Sequence, residues 1–538
     1  MPEMNGNQSR VNKIKMVARP KSPSGALLPQ FYAGRDIFIT GATGFMGKVL
    51  IERLLSTCPD VGRLHLLMRP KKGETPEKRL LKLKQSQAFD IIRQQNPSQL
   101  DKLSFIQGDV AQPGLGIGIE YLKQLQEVSV VFNSAATLKF DEPLPSAVEQ
   151  NVLSVIRLMD ICDTLPNLQA LIHVSTAYCN PELNVIEEKV YPAPTPLPRL
   201  LALVDAVPAP LLSTITPQYI NPKPNTYTFT KAMAEEAVRS RANRHYSIAI
   251  FRPTIVVSSL KNPYPGWIEN LNGPSGVVAA AGKGLLHVFC RKPGARADLL
   301  PVDIAIDTLL AVGWETAVDK LPEVRVYNCS TYENPTTWGQ FEAALKVYLI
   351  RYPLDGCLWY PSGSGVENRY AHKILEFSLQ TVPLHIAEYI MRALGVKMKI
   401  SLITAEQRLR AMNSVLAFFA LREWKFKTGN VEKLRARLTP SDAAIYNLDP
   451  RTIDWNDHYK NFVTGTRKYL LKEKDQDMEE ARKHSNRMYF LHKGVMFFAM
   501  ILLFRLILQN KTVREIVYGT LRLLFTFLHA TYTSVIEA

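Results

Sequence analysis

Cysteine is scarce in this sequence, and its placement argues against a disulfide scaffold. Six cysteines are scattered over 538 residues, with no C-x-x-C pair and no paired spacing. Such a pattern is typical of a thiol-reducing compartment and gives no support for a bound metal. Zinc-ligand spacings, aromatic RNA-binding motifs and basic leucine repeats are missing too, so we expect no nucleic-acid partner despite a net charge of +16.

The start of the chain lacks the apolar run that a secretory signal requires. It is polar and basic, and we expect a flexible leader over residues 1–33. The remaining composition, 46% hydrophobic and 21% charged, is typical of a globular protein, and the length allows two to four domains.

A glycine-rich stretch, Asp36–Gly47, predicts a nucleotide site. An apolar run of strand type, Ile37–Ile39, precedes it and an amphipathic run, Lys48–Leu55, follows it. A strand that leads through such a turn into a helix presents backbone N–H groups and a positive helix end to a phosphate. The alternative is a tight turn without a ligand. The predicted cofactor contacts are Thr40, Gly41, Thr43, Gly44, Phe45, Met46 and Gly47.

Three further positions are predicted to contact the cofactor. Arg69 ends the second apolar run, where an arginine accommodates the 2′-phosphate of NADP and an acid would hold the ribose of NAD. Asp109 ends the third run and is expected near the adenine, although a turn-forming role is equally open. Ala135 follows the fourth run, and its small side chain would let a flat cofactor lie against the backbone. The sequence therefore predicts NADPH.

Strand-type and helix-type segments alternate along residues 36–176, which predicts a doubly wound parallel sheet. We expect Asn151 to begin a helix that runs to Cys162. Residues 191–225 contain nine prolines and predict an irregular excursion, with a short helix near Leu200–Ala206. The expected strands after the first are 63–68, 103–110, 128–132 and 170–176.

A tyrosine and a lysine four residues apart, Tyr227 and Lys231, are predicted to form the catalytic site. This spacing puts both on one helix face, where an ammonium would lower the phenol pKa. Tyr227 could then donate a proton to a developing alkoxide, and Lys231 could also bind the cofactor ribose. Thr176, beside Ser175 after the fifth strand, would polarise the substrate carbonyl. The alternative is a surface pair on a helix. We expect His173 to be packed in the core.

These motifs resemble those of a known family. The glycine turn, the Tyr227–Lys231 spacing and Arg252-Pro253 resemble the extended short-chain dehydrogenase/reductases. The detailed sequence within and around these motifs is similar to that of the fatty acyl-CoA reductases, the male-sterility family. The stretches that carry this likeness are 41–47, 135–144, 173–180, 227–231, 251–254, 265–274, 300–303, 455–457 and 467–471.

The resemblance implies a reaction that the residues alone do not name. A long-chain acyl-CoA would be reduced by two NADPH, through an aldehyde, to a primary alcohol. It also implies a reductase domain over residues 34–370 and a helical domain over 371–475 that helps to shape an acyl channel. Two other hypotheses about the function remain open: a reductase of a sterol or sugar nucleotide, and a cofactor-sensing protein without catalysis.

Two apolar stretches close the sequence, and we expect a membrane hairpin or anchor over residues 488–538. Met488–Leu508 and Ile516–Ile536 each contain 21 residues with a few cations, near the length that a bilayer requires. Basic residues precede the first stretch, which puts the enzyme on the cytosolic face, at the endoplasmic reticulum or the peroxisome. One spanning helix with an interfacial one, two interfacial helices and a buried soluble hairpin are the alternatives.

Overall fold

A computed structural model of the chain describes residues 25–71, 73–396 and 401–509, together with 514, 515, 518, 519, 522, 523 and 526. Two compact units are interleaved along it. The first contains the described residues up to Val256, then Leu300–Glu333 and Lys425–Thr452; the second contains Val257–Leu299, Asn334–Trp424 and the residues from Ile453 onward. We expected consecutive domains divided near residues 370 and 475, and that division stays a prediction.

A seven-stranded parallel sheet forms the centre of the first unit. Its strands lie in the order β7-β6-β5-β4-β1-β2-β3, so the chain winds outward in both directions from β1 and β4. This is the doubly wound sheet that the alternation predicted. The strands are β1 (Asp36–Thr40), β2 (Leu64–Met68), β3 (Leu103–Gln107), β4 (Val128–Asn133), β5 (Ala170–Val174), β6 (Ser247–Pro253) and β7 (Arg325–Cys329).

The sheet is covered on both faces, which explains the nearly continuous apolar runs of its strands. Phe38, Val131 and Ile250 are each 0% exposed and belong to one apolar cluster that also includes residues of the helix Ser154–Cys162. The other α-helices of the unit are Leu27–Tyr32, Phe45–Thr57, Pro76–Lys84, Asp90–Gln95, Ile119–Gln124, Leu144–Val148, Leu197–Ala206, Ala209–Tyr219, Thr226–Arg239, Val302–Asp319, Gly429–Arg437 and Pro440–Ile445.

The expected leader is only partly described. Residues 1–24 lie outside the described part of the chain. Its last part is not a loose segment, because Leu27–Tyr32 is a helix whose Leu28 and Tyr32 are fully buried. The Tyr32 hydroxyl donates to the Leu310 carbonyl at 2.7 Å, and Asp442 accepts the Leu28 amide at 3.0 Å. These contacts fix residues 27–32 to the first unit.

Two local expectations need correction. Asn151 does not begin a helix: it lies in a π-helical turn, Glu149–Leu153, inside a helical stretch that starts at Leu144. The proline-rich excursion contains two helices of ten and eleven residues, one more than expected. Pro196 and Pro208 are their N-caps, positions where a missing N–H costs nothing.

The second unit is mainly helical, as expected from the pattern after Asp303. Its α-helices are Pro274–Gly282, Trp338–Arg351, Arg369–Glu376, Val382–Ala393, Leu402–Ala420, Trp455–Gly465 and Met478–Gln509. A parallel strand pair, Val288–Cys290 with Ser364–Val366, accompanies them. Short strands elsewhere in the chain are Val185–Ile186, Ile255–Val257, Leu299–Pro301 and Lys425–Phe426.

The helix Met478–Gln509 contains the whole of the first apolar stretch, Met488–Leu508. Residues 475–505 are long and apolar enough to cross a membrane, and none of their most apolar window is buried. This suggests membrane association. Most of the second stretch, Ile516–Ile536, lies outside the described residues, so the expected hairpin stays a prediction.

Candidate active site

The glycine turn connects β1 to the helix Phe45–Thr57 so tightly that Gly41 and Gly47 leave no room for a side chain. Gly41 has a φ of +75°, and a Cβ there would lie 2.7 Å from the Ser134 carbonyl carbon. A Cβ on Gly47 would lie 2.3 Å from the Gly41 carbonyl oxygen. Real Cβ atoms do not approach so closely, so only glycine fits at both positions.

Thr40 lies beneath the turn and holds it in place. It is fully buried, and its hydroxyl donates to Asn133 Oδ1 at 2.7 Å and accepts the Ala135 N–H at 3.1 Å. Asn133 Nδ2 lies 3.1 Å from His173 Nδ1. Polar side chains at the ends of β1, β4 and β5 are thus linked. Thr40 and the Ala135 amide therefore hold the glycine turn in position.

The first turn of the helix Phe45–Thr57 is suited to an anion. Its N-cap, Gly44, offers no side-chain cap, and no acidic residue lies in the first turn. Thr43 and Gly44 are exposed, whereas Phe45 and Met46 are half-buried. The positive end of the helix dipole is therefore not neutralised by a nearby acid and is open to a phosphate.

Two arginines meet at the end of β2. Arg69 is 59% exposed, and its guanidinium lies 3.7 Å from the Asp109 carboxylate. Arg79, from the helix Pro76–Lys84, donates to the Arg69 carbonyl and reaches Thr43 Oγ1 at 3.4 Å. The pKa of Arg79 is lowered, mainly by burial and to a smaller extent by the charge of Arg69. Both arginines have the charge and donors for a 2′-phosphate. Asp109 lies beside Arg69 and accepts the Ala111 N–H at 3.1 Å, which is the turn-forming alternative; its place near the adenine stays a prediction.

Tyr227 and Thr176 come together at the carboxyl edge of the sheet. Tyr227 lies in the first turn of the helix Thr226–Arg239, whose N-cap Asn225 accepts the Thr228 amide at 2.9 Å. Burial raises the pKa of Tyr227, and a hydrogen bond from Thr176 opposes that rise. The predicted lowering of the phenol pKa is therefore not seen, because desolvation outweighs the hydrogen bond. The phenol stays protonated, as a proton donor must be.

Lys231 is buried on the same helix, with only 3% of its surface exposed. Its Nζ donates to the Val174 carbonyl at the end of β5, at 2.9 Å. Burial lowers its pKa to about 8, against the attraction of Glu235. His173, 1% exposed, is core as expected, and burial followed by the charge of Lys231 lowers its pKa well below the usual value. The surface-pair alternative for Tyr227 and Lys231 is wrong.

Three residues of the site were not identified from the sequence. Arg79 carries no motif, since only the folding of its helix brings it to Arg69. Phe140 contacts the Tyr227 ring edge-on, with centroids 5.3 Å apart. Asn151 accepts the Thr137 amide at 2.9 Å and donates to Thr230 on the catalytic helix at 3.0 Å. Asn151 is distinguished by its position in a π-helical turn, and the sequence has no signature that would have predicted that turn.

Comparison with known proteins identifies close relatives. The family model described as Male sterility protein matches residues 39–309, and a second model of that description matches 379–473. Fatty acyl-CoA reductase 1 of Gallus gallus is 36% identical over 93% of this chain and 97% of its own length. The Homo sapiens proteins Fatty acyl-CoA reductase 1 and 2 are each 34% identical, over 93% and 86% of this chain and 97% and 90% of their own lengths.

Solved structures share the fold at low identity. The terminal R domain from the myxalamid PKS-NRPS biosynthetic pathway superposes with a TM-score of 0.52 at 18% identity, covering 82% of this chain and 91% of its own. The reductase domain of a non-ribosomal peptide synthetase from Mycobacterium tuberculosis gives 0.50 at 18% identity, covering 82% and 94%. These similarities concern the fold alone.

Proposed function

We propose that this chain, which belongs to the fatty acyl-CoA reductase (male sterility protein) family, reduces a long-chain acyl-CoA to a primary fatty alcohol with NADPH. The observation that carries the proposal is the hydroxyl pair of Thr176 and Tyr227, with buried Lys231 on the same helix. The glycine turn lies at the same carboxyl edge of the parallel sheet, where doubly wound folds bind their ligands.

The residues around the turn fit NADPH. The helix beginning at Phe45 and the turn Gly41–Gly47, whose close packing requires glycine at Gly41 and Gly47, would hold the pyrophosphate. Arg69 and Arg79 would hold the 2′-phosphate, and Asp109 lies where the adenosine is expected. Lys231 would donate to the nicotinamide ribose.

The chain's own residues then handle the substrate oxygen and its proton. When bound, NADPH supplies the hydride to the thioester carbonyl carbon. Thr176 and Tyr227 donate hydrogen bonds to the carbonyl oxygen and stabilise the oxyanion of the hemithioacetal. That oxyanion collapses, the C–S bond breaks and CoA leaves as its thiolate, giving an aldehyde.

The aldehyde is reduced in a second round, in which Tyr227 donates its proton to the alkoxide as the primary alcohol forms. The hydrogen bond from Thr176 favours the phenolate that remains, until solvent reprotonates it. In total one acyl-CoA, two NADPH and two protons give one alcohol, one CoA and two NADP⁺. The reaction requires no cysteine nucleophile, consistent with six buried cysteines.

The membrane part of the proposal concerns the second unit. Supported by the exposed apolar helix within residues 475–505, we assign residues 488–538 as an anchor that holds the catalytic domain on the cytosolic face. Arg482, Lys483 and Arg487 precede its apolar part, in agreement with a cytosolic amino-terminal side. The membrane would be that of the endoplasmic reticulum or the peroxisome.

The test is turnover by the purified full-length chain supplied with palmitoyl-CoA and NADPH. We expect two NADPH oxidised per acyl-CoA, hexadecanol detected by mass spectrometry, and a rate loss of about 10²–10⁴-fold in Tyr227→Phe, since proton donation contributes that much. The control is Tyr219→Phe, whose hydroxyl contacts Thr195 at 3.4 Å. Robust turnover by Tyr227→Phe would overturn the mechanism. A wild-type enzyme that consumes NADPH with a sterol or sugar nucleotide, but forms no alcohol, would overturn the substrate.

A further inference from the structure

One helical stretch of the second unit has its polarity reversed. Residues 369–393 form a continuous helical stretch through a π-helical turn at Phe377–Thr381. Its inward face buries mostly polar side chains. In water the hydrophobic effect favours the opposite orientation, with apolar residues inward. The buried residues are His372, Glu376, Gln380, Thr381, Leu384 and Glu388.

Most of the buried polar groups have partners in the same unit, although Gln380 Nε2 has none among the described residues, so this orientation is specified rather than accidental. Asn413, fully buried on the helix Leu402–Ala420, donates to Glu376 Oε1 at 3.1 Å. Thr381 donates to Glu406 at 2.7 Å, and Glu388 accepts the Leu402 amide at 2.6 Å. Rotating the stretch to bury its apolar face would break these bonds and leave charges unpaired.

The outward face is apolar over its whole length. Ten large apolar side chains, each at least about one third exposed, would leave on the order of 1,000 Å² of apolar surface, well above the few hundred Å² usual for a soluble protein. We call this surface the apolar stripe. It consists of Tyr370, Ile374, Phe377, Leu379, Val382, Ile386, Tyr389, Ile390, Leu394 and Val396, which are 36–79% exposed.

The apolar stripe begins close in sequence to the base of the candidate membrane helix. Trp359 Nε1 donates to His492 at 3.0 Å, and Tyr360 contacts Tyr489 with ring centroids 5.1 Å apart. Tyr489 and His492 lie just before the charge-free run Gly494–Phe504, and their contacts bring Trp359 and Tyr360 beside them. Trp and Tyr collect at the headgroup level of a bilayer. Nine residues separate Tyr360 from Tyr370, so the chain limits the start of the stripe to within about 35 Å of that level.

The charges of the stretch favour an anionic lipid surface. Arg369, Lys373 and Arg392 are exposed, while both acids of the stretch, Glu376 and Glu388, are buried. An exposed apolar stripe edged by cations is the pattern of a helix that lies in the membrane interface.

We propose that the apolar stripe lies in the interfacial region of the membrane that the helix Met478–Gln509 enters. The inference rests on the membrane association proposed above, and gives the second unit two attachments, one across the bilayer and one along its surface. A unit held in this way cannot swing freely about the anchor. Its surface would face the headgroup region, where long-chain acyl-CoA partitions.

The test uses the full chain in vesicles of phosphatidylcholine and phosphatidylserine. Single cysteines introduced by Phe377→Cys, Tyr389→Cys and Phe498→Cys are labelled with an environment-sensitive fluorophore; the native cysteines are all buried. We expect labels at 377 and 389 to lose most emission to lipids carrying a nitroxide near the headgroup, and the label at 498 to nitroxides near the bilayer centre. Val347→Cys is the matched control, because Val347 is 59% exposed and Phe377 is 62% exposed.

The outcomes separate the two proposals. Quenching at 498 without quenching at 377 and 389 leaves the anchor intact and overturns the interfacial contact. Absence of quenching at all three positions overturns the membrane association itself. A label at 377 that is shielded from water but not quenched by either lipid shows that protein covers the stripe, from a second copy or from this chain, and also overturns the proposal.

Discussion

Lys231 is the residue whose charge the fold alters most directly at the site. Burial lowers its pKa to about 8, while Tyr227 has a raised pKa and stays protonated over the working range. Below pH 8 Lys231 is charged and can donate strong hydrogen bonds to the ribose; above pH 8 it becomes neutral. The basic limb of the pH profile should therefore belong to Lys231.

The profile of kcat/KM, which reports groups of the free enzyme, should fall with an apparent pKa near 8. Lys231→Arg should be slower but should lose that limb, because a guanidinium remains charged. The measurement is NADPH oxidation with palmitoyl-CoA from pH 6 to about 10, a span that brackets the lowered pKa of Lys231 and stops near the ordinary pKa of tyrosine. A limb unchanged in Lys231→Arg would show that another group titrates.

Arg69 and Arg79 should set the preference for NADPH over NADH. A hydrogen bond to a charged group is worth about 1.5–3 kcal/mol, so Arg69→Ala or Arg79→Ala should raise the Kd for NADPH about 10–100-fold. The Kd for NADH, which lacks the 2′-phosphate, should hardly change. Titration of the intrinsic cofactor fluorescence measures both. Lys78→Ala, which removes an exposed cation from the helix of Arg79, is the control; equal losses for NADH would contradict the assignment.

At the scale of elements, the helix Thr226–Arg239 depends on the proline-rich excursion. Leu200 and Leu212, from the two excursion helices, are fully buried in one cluster with Phe229 and Met233 of the catalytic helix. The excursion therefore supports the helix that carries Tyr227 and Lys231. Sequence alone placed the prolines but not their helix-capping role, because proline density is read as disruption until the N-cap positions are known.

Leu212→Ala should destabilise the protein by about 2–5 kcal/mol, the usual cost of a buried Leu-to-Ala cavity. It should also lower kcat, because the catalytic helix loses support. Leu211→Ala is the matched control, since the Leu211 side chain is 54% exposed and its removal should change stability by less than about 0.5 kcal/mol. Thermal unfolding and steady-state rates decide the matter. Equal effects of the two substitutions would show that the excursion helix does not pack as described.

At the scale of the whole molecule, the apolar run after Lys493 should decide where the protein resides. A chain that ends at Lys493 keeps the contacts of Tyr489 and His492 with residues 359 and 360. We expect it to be released by alkaline carbonate extraction, whereas the full chain stays with the membrane, since about 20 apolar residues give stable insertion. NADPH oxidation by the released chain is the check that it is folded. Retention of the shortened, active chain would mean that other surfaces suffice for attachment.

Local patterns in the sequence determined the cofactor class and hydride-transfer chemistry, and the family resemblance of the sequence supplied the acyl-CoA substrate. The glycine spacing, Arg69 and the Tyr227–Lys231 spacing are local patterns whose chemistry follows from short-range geometry. Five of the seven strands of the sheet, those up to Val174, could also be predicted, because parallel strands buried on both faces appear in the sequence as apolar runs.

The tertiary structure decided what depends on contacts between distant segments. It assigned Thr40 to support of the turn, brought Arg79 to Arg69, put Asn151 in a π-helical turn, and raised the pKa of Tyr227 instead of lowering it. Burial is a property of the folded chain, so desolvation cannot be read from spacing. For the same reason only the structure shows that residues 369–393 turn their polar face inward and leave an apolar stripe outside.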